Sequence, residues 1–315
     1  MSISFYEVTQ PNTTYTTDDA IFDVESGATL DAQGSSNTVI LETGAGYVTI
    51  EGTGNALNGS SISGVGATIY GANNSVSVGA NSRIMDNANS DTITVGANSW
   101  VYAAGSNVTV NATQGGTQIT AFDANTISGN NDVIDLCATT HVMTINGNSN
   151  SISASTAVQP SNSVQLSVNG SNNSINIAQT LDQNNSPIES VSVTTSSGSF
   201  IENGNVIVLT GGASLDNSQV YPNNLFVNFG NGNTLDIDGI QAGTLIESID
   251  ASGNATWSVW QNPGLQSTGV GASANPQAQQ LVQSMASYAA APAGVSSTLT
   301  AQNSAASPLL ASSHH

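Results

Sequence analysis

Residues 75–103 read SVSVGANSRIMDNANSDTITVGANSWVYA. Triplets centred on a branched aliphatic, Ser75-Val76-Ser77, Arg83-Ile84-Met85, Thr92-Ile93-Thr94 and Trp100-Val101-Tyr102, alternate with GANS, NANS and GANS. Val76, Ile84, Ile93 and Val101 succeed one another at steps of 8, 9 and 8 residues. An aliphatic residue flanked on both sides by polar or small ones is the period-two pattern of a strand. Gly and Asn reach left-handed backbone angles with the least strain, so the segments between the triplets read as tight corners.

The same alternation runs outward from Thr38-Val39-Ile40 to Val191-Ser192-Val193. Strands this short, joined by corners this small, do not make a sandwich, whose strands run longer. They do make a stack in which each strand lies above its counterpart one coil earlier. The spacing predicts an all-β, parallel β-solenoid of the β-roll or β-helix kind. It has about nine residues per half-coil and a coil rise of about 4.8 Å. The central Val or Ile of each triplet is expected to point inward. Asn and Ser aligned at successive corners are expected to form hydrogen-bonded ladders, as stacked Asn does in cross-β structures.

Changes in this pattern divide the chain into four segments: 1–26, 27–210, 211–262 and 263–315. In 1–26, Ile3 and Phe5 alternate with serine like an edge strand, which suits either a cap on the first coil or a strand exchanged with a neighbour. Residues 27–210 are the solenoid. In 211–262 the strands lengthen and aromatics gather, among them Phe226, Phe229, Trp257 and Trp260. A last coil must be covered, so this segment is expected to be a β-rich cap whose aromatics could also anchor a contact. In 263–315 a linker precedes Asn275-Pro276, a cap and first-turn pair for a short helix with Leu281, Val282, Met285 and Tyr288 on one face.

The charge balance excludes whole classes of function. Of 315 residues 21 are acidic and one, Arg83, is basic, for a net charge of −20. One cation cannot neutralise a row of phosphates, so nucleic-acid binding is excluded, and so is attraction to an anionic membrane surface. No apolar run is long enough to span a bilayer. Polarity comes instead from uncharged side chains, including 37 Asn. The lone Cys137 forms no intramolecular disulfide. The opening MSISFYEVTQ has neither the basic nor the apolar region of a secretory signal peptide.

Three pieces, SGNNDVIDL (128–136), NSDTITVG (89–96) and FGNGNTLDIDG (229–239), resemble worn copies of the glycine-rich nonapeptide of the RTX, or haemolysin-type, β-roll proteins. The tail, with LVQSMASYAAAPAG (281–294) and SPLLASS (307–313), resembles the uncleaved C-terminal signals of proteobacterial repeat proteins exported by type I secretion. The first resemblance implies calcium at the corners. Most corners here carry Asn or Ser where the calcium-binding Asp belongs, and a hard cation needs carboxylate charge. The implied calcium is thus confined to one or two sites, with Asp91, Asp132 and Asp135, or Asp236 and Asp238, as candidate ligands.

Chemistry for catalysis is sparse. His141 is the one internal histidine, no G-x-S-x-G elbow occurs, and Cys137 with His141 lacks two further zinc ligands. No catalytic residue or organic cofactor is assigned, and the chain reads as a non-enzyme. The expectation is an extracellular structural protein, at the cell surface or in a biofilm matrix, that self-assembles head-to-tail into a filament, with calcium as a candidate aid. Ile3, Phe5, Phe226, Phe229, Trp257 and Trp260 are its candidate contact residues. The alternatives are a calcium-responsive monomeric adhesin for polysaccharide or host surfaces, and a β-helix enzyme acting on a glycan.

Overall fold

The structure is a computed structural model. It describes residues 3–137, 141–154, 164–178, 190–203, 206–216, 224–240, 243–250, 252–260 and 265–266. The short helix expected after Asn275 and the secretion-like tail lie outside these residues.

The described chain is all strand and turn. The first strands are β1 (Ser4–Val8), β2 (Thr13–Thr16), β3 (Ala20–Val24), β4 (Leu30–Gln33), β5 (Thr38–Leu41), β6 (Val48–Glu51), β7 (Ala56–Gly59) and β8 (Gly66–Tyr70). Then come β9 (Ser75–Val78), β10 (Arg83–Asp86), β11 (Thr92–Val95), β12 (Trp100–Ala103), β13 (Thr109–Ala112), β14 (Gln118–Ala121) and β15 (Thr126–Gly129). They continue as β16 (Val133–Leu136), β17 (Met143–Asn146), β18 (Ser151–Ala154), β19 (Val164–Asn169), β20 (Ser174–Ala178), β21 (Ser190–Thr195) and β22 (Gly198–Asn203). The last are β23 (Val206–Gly211), β24 (Ser214–Leu215), β25 (Asn224–Asn228), β26 (Thr234–Asp238), β27 (Leu245–Ile249), β28 (Ala255–Trp260) and β29 (Leu265–Gln266).

Odd strands from β1 to β21 form one sheet and even strands from β2 to β20 the other, each strand hydrogen-bonded to those two places before and after it. The pairing is parallel: Val76 sits beside Ile93, Ile93 beside Val110 and Val110 beside Ile127, a shift of 17 residues per coil. Insertions lengthen single coils to 18 (Val39 to Leu57) or 23 (Ile145 to Val168) without changing which face points inward. The chain is thus a two-sided parallel β-solenoid, as its spacing predicts.

Most four-residue strands bury two side chains, one more than the triplets reveal. Ile93 and Val95, or Val101 and Ala103, are shut off from solvent while their neighbours face out. Stacked over successive coils, these pairs make the narrow aliphatic core. The first coil differs. Tyr6 of β1 and Tyr15 of β2 close over Phe22, with ring centroids 4.7–5.5 Å apart. Residues 4–24 are therefore already coiled, and their strands pair in register with those of the second coil.

The corners repeat a two-residue unit. A residue with positive φ comes first: Ser36, Asn73, Asn81, Ser90, Asn98, Ala124, Asn131, Ser149 and Asn172 all lie between 56° and 63°. The next residue is buried and opens the adjoining strand: Asn37, Asn74, Ser82, Asp91, Ser99, Asn125, Asp132, Asn150 and Asn173. The first residue turns the chain; the second enters the stack.

Parallel order gives way at β21–β22, where antiparallel pairing begins. One sheet then continues β22-β23-β27-β28-β29. The other receives β26, laid parallel on β20, and then antiparallel β25 and β24. The parallel stack thus ends under antiparallel hairpins on both faces.

Candidate functional site

The buried corner residues form two ladders. In the first, the Ala20 N–H donates to Asn37 Oδ1, the Asn37 N–H to Asn55 Oδ1, and the Asn55 N–H to Asn74 Oδ1, each at 2.9 Å. The Asn74 N–H donates to Asp91 Oδ1 at 2.5 Å. Val108 interrupts the column, and its N–H donates to Asn125 Oδ1 at 2.8 Å. The second ladder starts with serine: the Val65 N–H reaches Ser82 Oγ and the Ser82 N–H reaches Ser99 Oγ. Thr117, whose Oγ1 has no partner, interrupts this column, which resumes as the N–H groups of Thr117, Asp132, Asn150 and Asn173 bond the side-chain oxygens of Asp132, Asn150, Asn173 and Asn233 in turn at 2.8–2.9 Å.

Asparagine suits this place because it also donates. Asn37 Nδ2 bonds the Thr17 carbonyl, Asn55 Nδ2 the Gly34 carbonyl, and Asn74 Nδ2 the carbonyls of Gly52 and Gly71. Asn150 and Asn173 do the same to Gly129 and Gly147. Each Asn therefore satisfies an N–H and a carbonyl of the coil before it, groups that burial would otherwise leave without partners. The carbonyls approach so closely that side chains are excluded at some corners. A Cβ on Gly71 would lie 2.2 Å from the Gly52 oxygen, and φ there is +99°.

The candidate metal ligands are scattered through this scheme. Asp91 and Asp132 are ladder rungs, both almost wholly buried, whose Oδ1 atoms serve backbone N–H groups. Asp135 is on the outer face of β16, where Ser153 Oγ donates to it at 3.2 Å. Asp236 and Asp238 share the outer face of β26, where Asn176 and Asn224 donate to Asp236 and Asn224 also bonds Asp238. Burial pushes the carboxyls of Asp132 and Asp236 up, and the neighbouring Asp238 adds to the rise at Asp236. Among the described residues no three His, Cys, Asp or Glu side chains gather into a metal-holding group.

The candidate contact residues divide by exposure. Ile3 and Phe5 are 64% and 62% exposed at the outermost strand of the stack. Phe229 and Trp260 are buried in the core, and Phe226 and Trp257 are half-buried on β25 and β28. Among the described residues no strand pairs with the outer edge of β1 or β2. The β2 edge, TTYT, carries none of the Pro or charge that usually blunts an open edge.

Three further features have no signal in the sequence pattern. One is an outward-facing group on β10, on β12 and just after β14. The guanidinium of Arg83 lies 4.6 Å from the Trp100 ring centre, the Tyr102 ring is nearly parallel to that of Trp100 with centroids 6.0 Å apart, and the Phe122 ring meets Tyr102 edge-on at 5.4 Å. The second is an exposed pair in which His141 Nδ1 meets Asp123 Oδ2 at 2.5 Å. The third is Asp86, which lies in the aliphatic column between Ile69 and Ala103. A shallow depression over the hairpins is lined by Ser214, Ser248, Asp250 and Thr256. Its one carboxylate, Asp250, accepts bonds from Ser252 and Asn254 that hold its pKa below the usual range.

No protein-family model, curated protein or solved structure matches this chain.

Proposed function

We propose that this protein is an extracellular structural element that assembles end to end into a filament at a cell surface or in a secreted matrix. The observation that carries the proposal is the first coil. Among the described residues it presents two unpaired parallel strand edges, β1 and β2, with Ile3 and Phe5 exposed beside them and an aromatic floor already packed beneath. Such an edge is a template for a further strand, and a second copy of the chain is the partner with matching spacing. A contact between unlike ends that stacks copies along the coil axis does not return to its start, so it propagates as a fibre rather than closing into a ring. The parallel stack suits this role, since its coils pair with one another in the same backbone register along most of its length.

Export rests on sequence: the tail resembles a type I secretion signal, and the corners resemble worn RTX repeats. Calcium is not required by the proposed contact, because the edge groups are backbone amides and carbonyls. A charge of −20 opposes the approach of two copies, so added salt is expected to promote assembly. Sedimentation velocity on the full chain over a range of concentrations, with calcium or with chelator, tests the proposal. Growth of large species that Phe5→Asp suppresses supports it. A monomer at every concentration and salt level refutes it.

The Arg83, Trp100, Tyr102 and Phe122 group favours a second reading, adhesion to polysaccharide. It holds the one cation of an acidic chain, and its strands β10, β12 and β14 carry no outward acid. Affinity electrophoresis in neutral glycans separates the two readings: retardation lost in Trp100→Ala marks the adhesin, unchanged mobility excludes it.

A further inference from the structure

Asp86 is out of place. The inward column it belongs to is otherwise aliphatic nearby: Ile50, Ile69, Ala103, Ala121 and Leu136. Asp86 is fully buried, as is Asp91 five residues later, across the corner that joins β10 to β11. Asp86 Oδ1 accepts the Ala88 N–H at 3.0 Å, and Asp91 Oδ1 accepts the Asn74 N–H. The remaining oxygen of each, Oδ2, is buried and meets no N–H or O–H donor. The two carboxyl groups lie within hydrogen-bonding reach of each other.

The ladder gives an independent reason to place a hydrogen here. Wherever Asn occupies the Asp91 position in this column, the atom corresponding to Oδ2 is an amide nitrogen that donates. An ionised carboxylate only accepts, whereas a carboxylic acid accepts and donates. Two ionised carboxylates in contact inside an aliphatic column would lack both solvent and counter-charge.

We propose that Asp86 and Asp91 share one proton between their free oxygens, and that this acid–carboxylate bond is a proton-dependent clasp in the middle of the parallel stack. One oxygen carries the hydrogen as an O–H donor and the other, on the ionised partner, accepts it. The pair thus holds one negative charge instead of two. Removal of the proton leaves two anions in contact and opens the corner Asn87–Ser90.

Among the described residues the surroundings offer no other neutralising group. β9, β11 and β13 contain no titratable side chain, nor do corners 71–74 and 104–108. β8 carries Tyr70, β12 carries Tyr102, and β10 carries Arg83, all on the outer face. Burial, reinforced by the Asp91 charge, holds Asp86 up to about 8; burial also raises Asp91. The folded chain keeps a proton that the unfolded chain releases near pH ~4. The clasp therefore contributes fully below about pH 4, and its contribution falls as pH rises to about 8.

The test uses the full chain in chelator, unfolded by urea from about pH 5 to about pH 9, beside Asp86→Asn and Asp91→Asn. One proton released on unfolding changes the equilibrium constant about tenfold per pH unit, and Asp86→Asn should remove a dependence of that size. In parallel, carboxyl carbon resonances of aspartate-labelled wild type should include one that titrates near pH ~8. It should be absent from Asp86→Asn and shifted to lower pH in Asp91→Asn, whose amide can donate to Asp86. Aspartates that all titrate in the ordinary carboxylate range overturn the proposal. The wild-type spectrum decides the matter even if neither variant folds.

Discussion

Replacing Asn55 with Leu removes the ladder's side-chain chemistry at one rung while keeping similar volume. Asn55 is 1% exposed. Its Oδ1 accepts the buried Asn37 N–H at 2.9 Å, and its Nδ2 donates to the Gly34 carbonyl at 3.0 Å. Leu keeps the backbone N–H that donates to Asn74 but strands the other two groups. A buried donor left without a partner costs about 1–3 kcal/mol. The half-buried Gly34 carbonyl regains part of its bond from water, so about 2–4 kcal/mol is expected in all. Asn58, on the exposed outer side of the neighbouring strand, is the control, and Asn58→Leu should stay within about 0.5 kcal/mol of wild type. The assay is urea unfolding monitored by circular dichroism, with amide exchange at Asn37 as the local probe. Unfolding of a repeat stack can lose its cooperativity, so the amide should lose protection in Asn55→Leu even where the global midpoint hardly moves. If Asn55→Leu matches Asn58→Leu on both measures, the ladder contributes no net stability and the account of the corners fails.

Three other positions can be tested singly. Ala124 has φ of 57°, where the other corners use Asn, Ser, Asp or Gly. Left-handed geometry costs an L-residue about 1–2 kcal/mol, so Ala124→Gly should raise the urea midpoint by an amount worth about 1 kcal/mol. Asp132, like Asp91, stands in a rung that asks for a donor, and burial pushes its carboxyl up. Folding therefore favours its protonated form, and stability falls as pH rises from about 4 toward the folded pKa. Asp132→Asn should be more stable than wild type at pH ~8, with the gap closing as pH is lowered toward about 4. Ile93→Ala, in the centre of the aliphatic core, should cost about 2–5 kcal/mol by the same urea assay.

Much of this architecture is legible in the sequence. Val76, Ile84, Ile93 and Val101 are buried as their alternation requires, because period two and short spacing leave a strand few other options. Aligned corner Asn and Ser do form ladders. What the letters do not show is which Asn does what. In GANN (71–74), Asn73 turns the chain with φ of 63°, while Asn74 next to it is buried in the ladder. The two differ by one position relative to the strand, and the composition of a corner does not reveal that offset. The letter Asp91 is equally silent on its place: its burial and its bond from the Asn74 N–H follow from its position in the column. Asp86 gives no signal, because Arg-Ile-Met-Asp reads as an aliphatic triplet ending in a polar turn residue. Only the register, with Ile69 and Ala103 beside it, places Asp86 in the core.

By composition alone, the aromatics of the C-terminal segment suit both a cap and contact anchors. Phe229 and Trp260 are inward-facing packing residues there. Of the six candidate contact residues the exposed ones are Ile3 and Phe5, at and just before the first strand, which the alternation with serine marks as an edge. Among the described residues nothing is laid over β1.

The most direct test of end-to-end assembly is electron microscopy of the purified full-length protein at physiological salt, beside Phe5→Asp. The account predicts unbranched filaments in which strands stack across each junction at the same spacing as within a subunit, about 4.8 Å, and Phe5→Asp should yield short or single particles. A field of separate single particles for the wild type, at every concentration and salt level tried, would contradict it.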